Sequence, residues 1–291
     1  MMNRPPFVIS IQSQVVFGHV GNSAAVFPMQ AVGLQVAPIP TVLFSNTPHY
    51  PTMRGAPLPP DIFADLLRGA NERGLAERSD FILTGYIGSG EVAGMTADFV
   101  SKAKAVNPNL TYVCDPVLGD FQPGLYVPEH VAAIVRDRLL PMADIATPNP
   151  FELGWLTGHA IDNIAEVEAA HRSLSIAPTA QLIVTGCSLA DTLQNHIESV
   201  LIGHRGTSRH PVLHIPSTLP GTGDLFASLI VAGLGCGMDL PKAVDLAQEM
   251  TSLALGHANT LNAGEVTLDD SQFRHALLTL TQSRFDQHAS I

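Results

Sequence analysis

The chain has 291 residues, 46% of them hydrophobic and only 14% charged, with a formal net charge of −11. That composition supports a large packed core and excludes a disordered tail protein, and the negative balance argues against nucleic acid, a polyanion that such a surface repels. The only lysines are Lys102, Lys104 and Lys242, no G-x-x-x-x-G-K-[ST] stretch occurs, and Cys114, Cys187 and Cys236 are too far apart in sequence for a disulfide framework or a zinc ligand set.

From Met1 the chain runs through Pro5-Pro6 into a strand over Phe7–Ile11 with no signal-peptide pattern, so a soluble cytoplasmic protein is expected. A helix over Gly21–Val32 follows. A strand over Gln35–Leu43 precedes a helix over Pro60–Glu72, and a strand over Phe81–Thr84 precedes a helix over Gly90–Asn107. The pattern continues with a strand over Thr111–Cys114, a helix over Pro128–Leu139 and a strand over Ile145–Thr147. Helices over Pro150–Leu156 and Ile164–Ser175 then lead to a strand over Leu182–Thr185. Each predicted strand is a nearly continuous apolar run, as for strands buried on both faces. The Thr-, Ser- and His-rich stretch Asp191–His214 predicts one or two edge hairpins. Three helices close the chain: one opened by Gly221-Thr222-Gly223-Asp224, one at Leu240–Asn259 and one near Asp269–Ser283. The apolar run Leu225–Leu234 is too short to span a bilayer. Strand–helix alternation predicts an α/β fold, a three-layer α/β/α arrangement whose mostly parallel central sheet carries helices on both faces, in one domain over residues 1–291.

Open sheets of this kind bind ligands beyond the carboxyl ends of their strands. The predicted ends carry Gln12-Ser13-Gln14, Thr84-Gly85-Tyr86, Asp115-Pro116, Thr147-Pro148-Asn149 and Thr185-Gly186, a polar rim. The loop Gly221–Asp224 opens into an apolar helix, so bare N–H groups and a positive helix end face whatever lies before it, and an anion is the natural guest. Asp224 beside that anion can act as a base; a glycine-rich turn with an Asp N-cap is the structural alternative. Asn149 and Glu152 have the spacing of a capping box as well as of two site groups.

Several segments together resemble the pyridoxal kinases of the ribokinase-like superfamily. They are Gln12–Ala24 (Gln-Ser-Gln-Val-Val-Phe-Gly-His-Val-Gly-Asn-Ser-Ala), Pro40–Tyr50 with its Ser-Asn-Thr-Pro-His-Tyr end, Thr84–Gly88, Cys114–Asp120 with Gly124–Val127, Thr147–Leu153, and the Gly221–Asp224 loop. They fall in family order and span most of the chain. The resemblance implies ATP-dependent phosphorylation of the 5′-hydroxymethyl group of pyridoxal, and of pyridoxine and pyridoxamine, with Asp224 as catalytic base and the N–H groups of Gly221, Thr222 and Gly223 as the anion hole. It implies that Ser13, Val42, Phe44, His49 and Tyr86 join Asp224 on the substrate side. Asp115, Thr147, Asn149, Glu152, Thr185 and the loop residues Gly221, Thr222 and Gly223 fall on the ATP side, and Asp120–Gly124 forms a flap over the phosphates. Asp115, Glu152 and the Tyr126 main chain are expected near Mg2+ or another divalent cation, with a monovalent cation such as K+ nearby; with so little lysine, metal must carry much of the phosphate neutralisation. A homodimer is also implied. Pro220 stands where some relatives carry a basic residue, which leans further on the metal, and Cys187 reads as an incidental loop thiol. The remaining eleven histidines show no metal-ligand spacing. Two other functions compete: a hydroxymethylpyrimidine kinase, and a protein that binds B6 vitamers without catalysis.

Overall fold

Side-chain alternation along the strands divides the apolar residues into two cores. The computed structural model describes residues 4–289. Its strands are β1 (Phe7–Phe17), β2 (Gln35–Asn46), β3 (Gly55–Pro57), β4 (Phe81–Thr84), β5 (Thr111–Cys114), β6 (Gly119–Asp120), β7 (Gly124–Leu125), β8 (Ile145–Ala146), β9 (Gln181–Cys187), β10 (His196–Gly203) and β11 (Gly206–Leu213). Its helices are α1 (Asn22–Ala31), α2 (Pro60–Glu72), α3 (Leu75–Arg78), α4 (Gly90–Val106), α5 (Glu129–Ile134), α6 (Pro150–Thr157), α7 (Ile164–Ser173), α8 (Thr222–Gly235), α9 (Leu240–Thr260) and α10 (Ser271–Ala289). A nine-stranded sheet has the order β11-β10-β9-β8-β5-β4-β1-β2-β3. The pairs from β2 through β9 are parallel; β3, β10 and β11 add antiparallel edges. This is the mostly parallel α/β sheet, with helices on both faces, expected from the alternation.

Successive residues of a strand point to opposite faces. Ile9, Ile82, Tyr112, Cys114, Leu182 and Val184 therefore join one core with Phe63, Val92, Val100, Val131, Leu153 and Val167, the buried sides of α2, α4, α5, α6 and α7. Val8, Leu83, Val113, Ile145 and Ile183 join the other with Ala25, Leu229, Val244 and Phe273 from α1, α8, α9 and α10. Helix α2 has its expected bounds for local reasons: Pro60 opens it, Asp61 complements the dipole of its first turn, and Phe63, Leu67 and Ala70 form its buried stripe. Ser89 caps α4 by accepting from the N–H of Val92.

Several boundaries differ from expectation. β1 continues six residues past Ile11 through a bulge between Gln12 and Gln14, and Val15 and Phe17 still pair with β2. β2 lies next to the edge and exposes Gln35, Pro38 and Leu43, so it is not buried on both faces. The helix expected over Pro128–Leu139 is α-helical only to Ile134; a π turn takes Val135–Leu139 and a 3-10 turn ending at Met142 precedes β8. Asp191–His214 makes one hairpin, β10–β11. The short α3, the edge strand β3 and the β6–β7 hairpin lie below the length at which apolar periodicity identifies an element. No described helix is long and apolar enough to cross a membrane.

Candidate active site

The parallel ladder brings the strand ends into one rim. The Gly85 N–H donates to the Ile11 carbonyl, Asp115 N–H to Thr84, Thr147 N–H to Cys114 and Thr185 N–H to Pro148. Each step leaves the next residue's side chain at the carboxyl edge of the sheet. Asp115 is there at 6% exposure, and its Oδ1 accepts from the Thr147 hydroxyl at 3.0 Å. Its Oδ2 is buried and has no hydrogen-bond partner among the described residues.

The Gly221 loop lies opposite. Gly221 has φ +90° and lies so close to the His19 carbonyl that an added Cβ would collide with it, so glycine is required on both counts. No side chain caps the helix it opens, which leaves the first-turn N–H groups of α8 directed outward. The Thr222 hydroxyl turns back to the Leu219 carbonyl, at 2.9 Å. A Cβ at Gly223 would stand 3.9 Å from Asp115 Oδ2, so the helix start faces that carboxylate. Asp224 follows in the first turn, 8% exposed, taking an N–H hydrogen bond from Gly21 while its Oδ1 is buried without a partner.

Glu152 is 4% exposed and is fully engaged. Its Oε1 accepts from the N–H of Leu118 at 2.8 Å and of Gly119 at 3.4 Å, and its Oε2 accepts from Asn149 N–H at 2.9 Å. Asn149 Oδ1 accepts from the Glu152 N–H at 2.8 Å, completing a capping box, and its Nδ2 donates to the Gly119 carbonyl. The capping reading of this pair is therefore present in full. It also has a second effect: the box ties the base of the β6–β7 hairpin, the segment expected as a flap, to the start of α6. Val117, at the entry to that hairpin, has φ +35°, a conformation a β-branched residue adopts only when its neighbours impose it.

Three carboxylates with little solvent share this edge, and all titrate upward. Burial raises Asp115 well above the usual range, and the charges of Glu152 and Asp224 add to it against the Thr147 hydrogen bond. Burial lifts Glu152 to about 7 despite its three N–H bonds, with Asp120 contributing. Burial also raises Asp224, opposed by the Gly21 N–H. Among the described residues no set of three His, Cys, Asp or Glu side chains forms a metal cage. The buried, unpartnered Asp115 Oδ2 fits a cation that shares its coordination with waters and phosphate oxygens, whereas the oxygens of Glu152 already hold N–H groups.

The substrate-side residues divide into two groups. Ser13, in the β1 bulge, is buried and lies directly against Gly21, hence beside Asp224. Val42 is fully buried, and Val42 and the Tyr86 ring both border Gly88, while the Thr41 hydroxyl holds the Tyr86 carbonyl at 2.7 Å. Phe44 is half-buried on β2. His49 is exposed; its Nδ1 pairs with the Thr47 hydroxyl at 2.7 Å, and its ring packs on Tyr50 and borders Gly264. Thr185 is half-buried at the end of β9, and Tyr126 is exposed just past β7, its N–H donating to Leu118. Burial pushes the Cys187 thiol up to about 12, which agrees with an unreactive thiol. Gly21, whose N–H holds Asp224, was not singled out by sequence, although the Gly-His-Val-Gly run contains it.

Comparison with known proteins gives a consistent result. The phosphomethylpyrimidine kinase family profile matches residues 58–269. A pyridoxine/pyridoxal/pyridoxamine kinase of Bordetella avium is 36% identical over 263 residues, 90% of this chain and 88% of that protein. A pyridoxal kinase of Arabidopsis thaliana is 38% identical over 251 residues, 84% of this chain and 78% of that protein. The structure of a Leishmania donovani pyridoxal kinase in complex with ADP and pyridoxamine superposes with a TM-score of 0.83 at 29% identity, covering 93% of this chain and 95% of that one. Fold, rim and relatives agree: the chain belongs to the pyridoxal kinase family of ribokinase-like enzymes.

Proposed function

We propose that the protein transfers the γ-phosphoryl group of ATP to the 5′-hydroxyl of pyridoxal, and of pyridoxine and pyridoxamine, acting as one cytoplasmic domain in vitamin B6 salvage. One observation carries the reading: a buried Asp224 with a free Oδ1 in the first turn of an uncapped helix, facing a second buried carboxylate across the strand ends. Asp224 Oδ1 takes the hydroxyl proton as the substrate oxygen bonds to the γ-phosphorus and the bond to the ADP oxygen breaks. Its raised pKa brings the base nearer the working pH, where a positioned carboxylate contributes on the order of 10²–10⁴-fold. The N–H groups of Gly221, Thr222 and Gly223 hold the phosphoryl oxygens in transit.

Asp115, whose Oδ2 is free, would hold a divalent cation, Mg2+ in the first instance, with Glu152 as a further acidic neighbour, and the ion would offset phosphate charge that the lysine-poor edge cannot. The Tyr126 main chain is the proposed contact of a monovalent cation such as K+. Thr147, Asn149 and Thr185 line the ATP side. Ser13, Val42, Phe44 and Tyr86 form an apolar slot with few hydrogen-bonding groups, suited to a pyridine ring, and His49 borders it from the Thr47–Tyr50 turn. The β6–β7 flap excludes water from the phosphates. A homodimer completes the proposal; the exposed apolar residues Val16, Phe17 and Leu43 at one end of β1 and β2 favour it.

Asp224→Ala tests the base assignment: turnover is lost while ATP binding persists, and near-normal turnover refutes it. The second reading, a hydroxymethylpyrimidine kinase, is favoured by the family profile. Side-by-side kcat/KM for the three vitamers and hydroxymethylpyrimidine decides between them, and preference for the pyrimidine overturns the B6 assignment.

A further inference from the structure

The connection between α9 and α10 returns the chain to the active site. Between α9 and α10, Glu265 is 7% exposed although the residues just before it, Leu261 to Gly264, face solvent wholly or in part. Its Oε2 accepts from the His19 N–H at 3.3 Å, a bond spanning 246 positions. The same oxygen lies against Gly18, where an added Cβ would collide with it. Gly18 has φ +105°, a backbone state open in practice only to glycine, so the turn is shaped to admit this carboxylate. Nothing in the reaction scheme above uses Glu265.

The residues this carboxylate touches begin the turn that carries the base. Two positions beyond His19, the Gly21 N–H donates to Asp224, and Gly21 also abuts Ser13. The His19 carbonyl is the surface on which Gly221 rests. One four-residue turn, Gly18–Gly21, thus touches the base, the substrate-side serine and the anion hole. Its downstream end is fixed by α1: the Gly21 carbonyl accepts from Ala24 and Ala25, and Val20 from Ser23. Glu265 supplies the upstream anchor. Its charge also reaches Tyr50, whose hydroxyl is raised first by burial and then by Glu265, so the Thr47–Tyr50 turn beside the substrate slot has the same neighbour.

We infer that Glu265 is a positioning residue for phosphoryl transfer: by holding the Gly18–His19 backbone it fixes where the Gly21 N–H places Asp224 and where His19 places Gly221. The inference rests on Asp224 being the base, and the two can fail separately. Displacement of a reacting group by about 1 Å costs up to 10²-fold in rate with little effect on ground-state binding. Glu265→Ala therefore lowers kcat about tenfold or more with each vitamer, while KM for ATP changes far less than kcat because Asp115, Thr147, Asn149, Glu152 and Thr185 are carried by other elements.

Glu265→Gln keeps an acceptor for the His19 N–H and restores kcat to within about threefold of the parent. Gly18→Ala, which drives the turn off the carboxylate, reproduces the kcat loss in a chain with Glu265 intact and covers the case in which the alanine variant does not fold. Steady-state kinetics of all three, beside Asp224→Ala and with circular dichroism as the folding control, reads the result. An inactive Asp224→Ala together with a Glu265→Ala whose kcat stays within about twofold of the parent overturns the inference alone. A kcat loss that glutamine does not restore, accompanied by an equal loss of ATP affinity, also overturns it. An active Asp224→Ala refutes the base assignment instead.

Discussion

Asp115→Asn should make the ligand-free protein more stable and nearly inactive at once. Asparagine keeps an oxygen for the Thr147 hydroxyl, now bonded at 3.0 Å, and its amide replaces an Oδ2 that makes no hydrogen bond, so no existing bond is lost. What disappears is a charge buried among Glu152 and Asp224 with no cation beside it. An uncompensated buried charge costs about 3–5 kcal/mol; recovering roughly half of that gives about 2 kcal/mol. With an unfolding entropy near 0.6 kcal/mol/K for a chain of this length, the midpoint rises by about 3 °C.

The pH dependence carries the sign. Asp115 has its folded-state pKa raised from 3.8, so the folded parent holds a proton that the unfolded chain releases. Its relative stability is full below that value and declines as pH rises. Variant and parent should coincide near pH 4 and separate toward pH 8. Turnover should fall on the order of 10²-fold or more, and the stabilisation that Mg2+ with a non-hydrolysable ATP analogue confers on the parent should vanish. Thermal unfolding from pH 4 to 8, with and without that ligand, is the assay. A variant less stable than the parent at pH 8, or a gap that widens toward acid, refutes the electrostatic account.

Three further outcomes follow from the same geometry. Gly221→Ala forces a side chain into φ +90° and onto the His19 carbonyl, costing about 1–2 kcal/mol and displacing the anion hole, so kcat should drop about 10²-fold; near-parent kinetics would contradict the close approach. Arg209 bonds Glu198, which is 2% exposed, and Asp191; Arg209→Ala leaves Glu198 without its charge partner and should cost about 3 kcal/mol in urea unfolding, a loss below about 1 kcal/mol being inconsistent with the burial of the Glu198 carboxylate. Chelation of divalent cations should abolish turnover but leave far-UV circular dichroism and the unfolding midpoint unchanged, since no described cluster binds metal through protein ligands alone; a falling midpoint would point to a structural ion.

Legibility in the sequence followed the range of the interactions. β4, β5 and α2 have the bounds their residues predict, because a short apolar run or a Pro-led amphipathic stripe is local information. The β6–β7 hairpin depends on a distant partner: Glu152 organises Leu118 and Gly119 from 33 or 34 positions away. In the candidate site, Asp115, Glu152 and Asp224 were readable as titratable groups at strand and helix ends, and the structure brings them to one edge. That Glu152 spends both oxygens on N–H groups, leaving Asp115 as the open carboxylate, was not readable from an Asn-x-x-Glu spacing that serves either purpose. Glu265 gave no signal at all, being one acidic residue in a polar connection whose meaning comes from a glycine 247 positions earlier.

The two cores on opposite faces of the sheet have a mechanical consequence. Asp224 belongs to α8, seated in one core, whereas Glu152 and the flap base hang from α6, seated in the other. The sheet is the common reference against which both halves are aligned, and Asp115 is attached to the sheet itself. A volume change in either core therefore shifts one half of the reaction centre while the other stays in place. Paired substitutions that tilt α6 and α8 in the same sense should restore alignment that each one alone destroys, so activity would couple residues that never touch.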